Sequence, residues 1–187
     1  MSTFDIPGRA FLDTSVVNFM IDYGEQIHDN APIPDGVTHW VAQDIESLRK
    51  IFLTGQRASW QFAISPFTYK EVISTNNPSH RYYLENWFFV IWHYWREIIE
   101  QNNDLPDFIE AERIRIELLA SGILDALPGL EDRILVCDAI VYRCDCFCTR
   151  DWKTVLKYRD TIKALPIQFV TPSEWWKLIE PYSNLWV

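Results

Sequence analysis

The apolar run Ala10-Phe11-Leu12 stops abruptly at Asp13-Thr14-Ser15, after which Val16, Val17, Phe19 and Met20 recur at helical spacing. This pattern predicts a short strand with Asp13 at its carboxyl end, then a helix capped by Thr14 or Ser15. From Glu25 to Gly36 the chain is polar and carries Pro32, Pro34 and the Asp35-Gly36 turn signal, so a mobile loop is expected. Ile45, Leu48, Ile51 and Phe52 then mark a helix from Val41 to Phe52, with Gly55 as its stop. The stretch Trp60-Gln61-Phe62-Ala63-Ile64 alternates as a strand does, and Ser65-Pro66 opens a short helix that carries Glu71. Asn76-Asn77-Pro78 breaks the chain before two long helices, about 79–102 and 107–124, separated by Asn103-Asp104-Leu105-Pro106. A helix from Glu131 to Arg143, a strand from Cys144 to Thr149, a helix after Asp151, a strand from Ile167 to Val170 and a last helix opening at Thr171-Pro172 complete the order.

Strands alternate with helices at both ends of this order, and parallel neighbours need crossover connections that helices supply. The expected fold class is therefore α/β, with a mainly parallel central sheet and helices on its faces. The 187 residues, 48% of them hydrophobic, suffice for one substantial core and show no linker, so a single domain over 1–187 is expected. It carries a loop and helix elaboration at about 25–55 and a helical segment at about 79–124. Ligands of such sheets gather beyond the carboxyl ends of the strands. Asp13 directly follows the first candidate strand, and Asp151 follows the third after Thr149-Arg150, so two acids distant in sequence meet at one edge.

Charge narrows the chemistry. Seventeen Lys and Arg against 26 Asp and Glu leave a net charge of −9, which excludes a general basic coat for nucleic acid and confines any such contact to a local patch. Arg150, Lys153, Lys157, Arg159 and Lys163 form one basic stretch, readable either as a steering patch or as an ordinary solvated face. The four cysteines lie between Cys137 and Cys148 without paired zinc spacing; Cys146-Phe147-Cys148 alternates like a packed strand. Reduced thiols in a cytoplasmic protein are the expectation. The strongly apolar run Trp87 to Trp95 is about half the length that a bilayer span requires, so no membrane partner is expected. The aromatics from Tyr82 to Trp95 exceed one buried stripe, which leaves some for a partner chain. His28, His39, His80 and His93 have no companion at metal-ligand spacing.

Phosphodiester hydrolysis needs an activated water and neutralisation of charge on the phosphoryl oxygens, and one or two hard divalent cations held by carboxylates supply both. The motifs Ala10-Phe11-Leu12-Asp13-Thr14-Ser15, the Glu71 helix, Glu131-Asp132-Arg133-Ile134-Leu135-Val136 and the Thr149-Arg150-Asp151 ending, in this order, resemble the PIN-domain family of metal-dependent ribonucleases. Leu165-Pro166-Ile167-Gln168-Phe169-Val170-Thr171-Pro172 resembles that family's last strand and turn. The resemblance implies a three-layer α/β/α sandwich and an endoribonuclease that uses Mg2+ or Mn2+. It also implies Asp13, Glu71, Asp132 and Asp151 as catalytic metal ligands. RNA is then the substrate, and a toxin blocked by an antitoxin protein, or a homodimer, is an implied assembly. Ser15 and Thr149 fit a supporting layer of hydrogen bonds around the ligands, and Arg150 a substrate contact. Asp138 is a rival for Asp132, but the two lie about 120° apart in helical projection and cannot face one ion equally.

Each acid also has a plainer use: Asp13 and Asp151 as helix caps, Asp132 as a first-turn acid, Glu71 on a solvated face. An inactive scaffold that binds protein or RNA keeps the same pattern. An aspartate-nucleophile phosphatase of the haloacid dehalogenase type would need a second Asp where Ser15 stands. No Gly-rich phosphate loop is present.

Overall fold

The computed structural model describes residues 7–74, 78–162 and 164–186. Asn76 and Asn77 of the expected chain break, Lys163 of the basic stretch and the side chain of His80 lie outside what is described. Four short strands, β1 (Arg9–Leu12), β2 (Gln61–Ala63), β3 (Cys146–Cys148) and β4 (Gln168–Val170), form one sheet in the order β2-β1-β3-β4, all parallel. Ala10 pairs with Phe62 on one side and Cys146 on the other, so β1 is a central strand. The fold is α/β, as expected.

Strand side chains alternate between faces, and the two buried clusters follow that alternation. Phe11, Ala63, Phe147 and Phe169 belong to one cluster; Ala10, Leu12, Cys146, Cys148 and Val170 belong to the other. Helices α6 (Phe108–Ala120) and α7 (Leu130–Val141) bury Ala111, Leu135, Val136 and Ala139 on the first face. Helices α1 (Thr14–Asp22), α3 (His39–Ala58) and α8 (Pro172–Ile179) bury Val16, Val17, Ile45, Leu48 and Trp175 on the second. Both faces of the sheet are thus covered, which is compatible with a three-layer sandwich and necessary for parallel strands this apolar.

Helix α5 (Pro78–Gln101) contributes Leu84 and Phe88 to one cluster and Trp95 and Ile99 to the other, and it packs against the edge strand β2. Its buried positions 84, 88, 95 and 99 form one seam that closes the open sheet edge. Tyr82, Tyr83, Phe89 and Val90 remain exposed, so the surplus of aromatics divides between core and surface.

Several element boundaries differ from expectation. Of the polar segment expected as a loop, the first part lies in helix α2 (Gly24–His28) and residues 29–38 carry no helix or strand; Arg49 pins both parts by donating to the carbonyls of Gln26 in α2 (2.8 Å) and Ala31 beyond it (2.9 Å). Helix α3 passes through Gly55 and ends where Ser59 adopts φ 55°. Gly55 serves packing instead, since a Cβ there would lie 3.2 Å from the rings of Trp60 and Phe62. Asp13, not Thr14 or Ser15, occupies the N-cap of α1, without a side-chain capping bond. After Asp151 the expected helix reduces to turns and one 3-10 turn at Leu156–Tyr158, although the Asp151 carboxylate accepts from the backbone N–H groups of Lys153 (2.7 Å) and Thr154 (2.8 Å) as a helix cap would.

Helix α4 (Pro66–Ile73) is tied to α6 and α7 by a buried charge. Asp138, fully buried on α7, accepts hydrogen bonds from the Ser65 hydroxyl (2.5 Å) and from Arg115 Nε on α6 (2.6 Å). Ser65 is also the N-cap of α4, accepting from Phe67 N–H, and the Arg115 guanidinium lies 5.0 Å from the Phe67 ring. Burial pushes the Asp138 pKa above its ordinary value, while Ser65 and Arg115 oppose that rise. Stranding one charge of such a pair costs about 3 to 5 kcal/mol. Asp138→Leu is accordingly expected to lose that much stability in urea unfolding, and adding Arg115→Met should recover a large part of it.

Candidate active site

The parallel ladder continues one residue beyond the strands. Asp13 N–H donates to the Cys148 carbonyl (3.0 Å) and Thr149 N–H to the Val170 carbonyl (2.9 Å), which sets Asp13 and Thr149 side by side at the carboxyl edge of the sheet. Both the Ser15 hydroxyl (2.5 Å) and the Thr149 hydroxyl (2.6 Å) donate to Asp13 Oδ2, and Oδ1 has no hydrogen-bond partner among the described residues. The hydroxyls are themselves fixed from behind, since Arg150 N–H donates to Ser15 Oγ (2.9 Å) and Asp151 N–H to Thr149 Oγ1 (3.0 Å). Leu-Asp-Thr-Ser and Thr-Arg-Asp therefore fold into one interlocked unit.

Asp13 is buried, and that burial raises its pKa from 3.8 to about 6. The two hydroxyls lower it, and the charges of Glu71 and Asp132 raise it further. Glu71 is exposed on α4, and Asp132 is half-buried in the first turn of α7. Burial raises the Asp132 pKa too; the Thr154 hydroxyl opposes this, and Asp151 and Glu131 add to it. For Asp151, burial is outweighed by hydrogen bonds from the Thr154 hydroxyl and from Thr154 and Lys153 N–H and by the Lys153 charge, so its pKa falls below the ordinary value. The carboxylates of four chain segments thus act on one another through charge, Glu71 and Asp132 on Asp13 and Asp151 on Asp132, without being in contact. As the side chains stand, no group of three or more His, Cys, Asp or Glu among the described residues is close enough to hold a metal ion. The donors are all hard oxygens, the type that magnesium and manganese take.

Of the other residues singled out in the sequence, Asp138 faces Ser65 and Arg115 in the interior, away from Asp132. Arg150 turns from the acids to pair with Asp44 (2.8 Å), its guanidinium 3.7 Å from the Phe19 ring. Arg159 pairs with Glu174 (2.9 Å), so the basic stretch is partly spent inside the protein. All four cysteines are free and buried, with thiols raised above their ordinary pKa by desolvation. His93 lies 3.3 Å from Glu97.

Three contributors escaped the sequence reading. Thr154 is one, although Asp-x-x-Thr is a readable turn signal. Gly129 is another: a Cβ there would lie 2.6 Å from Asp132 Oδ2, so the glycine leaves room for that carboxylate to fold back over the start of α7. Asp44 is the third, and nothing local marks a partner so far along the chain from Arg150.

No family model, curated protein or solved structure matches the chain.

The Asp13 values fix a pH window. The fold holds this proton more tightly than the unfolded chain, so the stability penalty of ionising Asp13 is absent below pH 3.8, grows towards about 6 and is complete above it. That interval corresponds to about 3 kcal/mol at full ionisation, less roughly 1 kcal/mol for a weakened hydrogen bond. In metal-free buffer Asp13→Asn is expected to raise the unfolding free energy at pH 7 by about 1 to 3 kcal/mol, with the gain shrinking as pH falls through 6 towards 4. A gain that does not change over that range refutes the assignment of the raised pKa to Asp13.

Proposed function

We propose that this chain is a divalent-metal-dependent endoribonuclease of PIN-like architecture. The observation that supports the reading is the place of Asp13 at the carboxyl edge of a parallel sheet, where the charges of Glu71 and Asp132 help to raise its pKa and Asp151 acts likewise on Asp132. Such a set is relieved by a cation, and these four side chains would hold Mg2+ or Mn2+. The bound ion would activate a water and neutralise charge on the phosphate during hydrolysis of RNA. Ser15 and Thr149 act from the protein side: they donate to Asp13 Oδ2 and leave Oδ1 for the ion, while Thr154 donates to Asp151 and orients it.

The toxin role and its antitoxin rest on a second surface. Tyr82, Tyr83 and Phe89 on α5 and Ile109 and Ile116 on α6 are exposed, and an apolar face of this kind suits a protein partner or a second copy. No described helix is long and apolar enough to cross a membrane. Buried, free thiols accord with a cytoplasmic setting.

A second reading, an inactive scaffold that binds RNA or protein, is favoured by the spacing of the acids as they stand. The phosphatase alternative is weakened, because Ser15 stands at the general-acid position and spends its hydroxyl on Asp13.

Cleavage of a mixed RNA pool with added Mg2+ or Mn2+ separates these readings. Wild-type protein is expected to cut, and Asp13→Asn to lose at least the 10- to 100-fold typical of weaker, indirect disturbances of a metal site. Equal cutting by the two proteins, or none by either alongside no calorimetric binding of Mn2+, removes the nuclease proposal. Gly129→Ala probes Asp132 without touching a carboxylate. It should cost under about 1 kcal/mol of stability while weakening Mn2+ binding about 10-fold or more, because the new methyl displaces the Asp132 oxygen.

A further inference from the structure

Beside the acidic edge lies a pocket of about 580 Å³, a size suited to one small organic group. Arg150 and Trp152, the two chain neighbours of Asp151, both line it, and so do Trp40, Asp44, Ser173 and Lys177. The pocket and the acids therefore share one short segment: Arg150 N–H supports Ser15 beneath Asp13, while its guanidinium holds Asp44 in the pocket wall.

Two features of this wall are open to a ligand. Trp40 is 71% exposed and Trp152 is 60% exposed, whereas Trp95 and Trp175 are completely buried in the core. Lys177 is exposed on α8 and has no ion-pair or ring partner among the described residues. The anion-binding capacity of the α8 start is already taken by Glu174, which accepts from Thr171 N–H (2.9 Å) in a capping box, so the pocket floor offers hydrogen-bonding groups and not a phosphate cradle. Flat indole surface, carboxylate and hydroxyl acceptors and one free ammonium at the rim match the parts of a nucleotide: a base to stack, an edge to hydrogen-bond and a phosphate to meet.

We propose that the Trp40 and Trp152 pocket takes one unstacked base of a single-stranded RNA whose backbone passes across the carboxylates. The proposal rests on the nuclease reading for the direction of the strand, but the pocket can be tested without cleavage. The Arg159 guanidinium lies over the Trp152 ring, 6.0 Å from its centroid.

The test is the affinity of a fluorescent, mixed-sequence, single-stranded RNA in EDTA, by anisotropy, with thermal melts to show that each variant is folded. Trp152→Ala and Trp40→Ala are each expected to weaken binding about 5- to 150-fold, the range of one base stacked on one aromatic ring. Trp152→Phe should keep most of the affinity, and Tyr83→Ala, an exposed aromatic outside the pocket, should change nothing. Nucleoside 5′-monophosphates should displace the strand and ribose 5-phosphate should not. Wild-type affinity in both tryptophan variants, failure of the wild type to bind, an equal loss in Tyr83→Ala or equal displacement by ribose 5-phosphate each overturns the base pocket. Tryptophan-dependent binding by a protein that never cuts RNA upholds the pocket and refutes only the nuclease.

Discussion

A carboxylate taken out of water must be paired, and Asp138 is the point where this requirement organises the protein. It has no solvent exposure, and its partners come from two other helices: Arg115 from α6 and Ser65 from the cap of α4. Three helices distant in sequence are held in one relative placement. Two of them carry candidate site acids, Glu71 on α4 and Asp132 on α7, so an interior charge pair sets where two edge carboxylates stand.

The sheet supplies the other two acids by a different means. Parallel pairing of β1 with β3 extends past the regular strands through Asp13 and Thr149, and each of the two sequence motifs then closes on the other: Thr149 donates to Asp13, and Ser15 accepts from Arg150. In this arrangement one carboxylate oxygen is committed and the other has no hydrogen-bond partner among the described residues. It is also costly, because burial and like charge lift the Asp13 pKa to about 6.

Around this edge the surface is not uniformly acidic. Arginines pair internally with Asp44 and Glu174, and the exposed rings of Trp40 and Trp152 stand beside them. A net charge of −9 is compatible with nucleic-acid contact only if recognition relies on stacking and local pairing more than on a cationic surface. The aromatics of α5 divide likewise: the 84, 88, 95 and 99 seam packs at the sheet edge, and Tyr82, Tyr83 and Phe89 stay exposed.

Local pattern alone determined the alternation of strands and helices, the parallel sheet, the place of Asp13 at a strand end and the packing role of Cys146 and Cys148, because side-chain period and turn residues act over a few positions. It misjudged Gly55, where rings from a later segment overrode the local stop signal, and the segment after Asp151, which forms turns and one 3-10 turn despite its cap. The tertiary structure alone decided that Asp138 turns inwards, that Arg150 serves Asp44, that Gly129 makes room for Asp132 and that two tryptophans share a pocket beside Asp151. Each of these depends on which distant groups become neighbours, and no period or spacing along one chain encodes that.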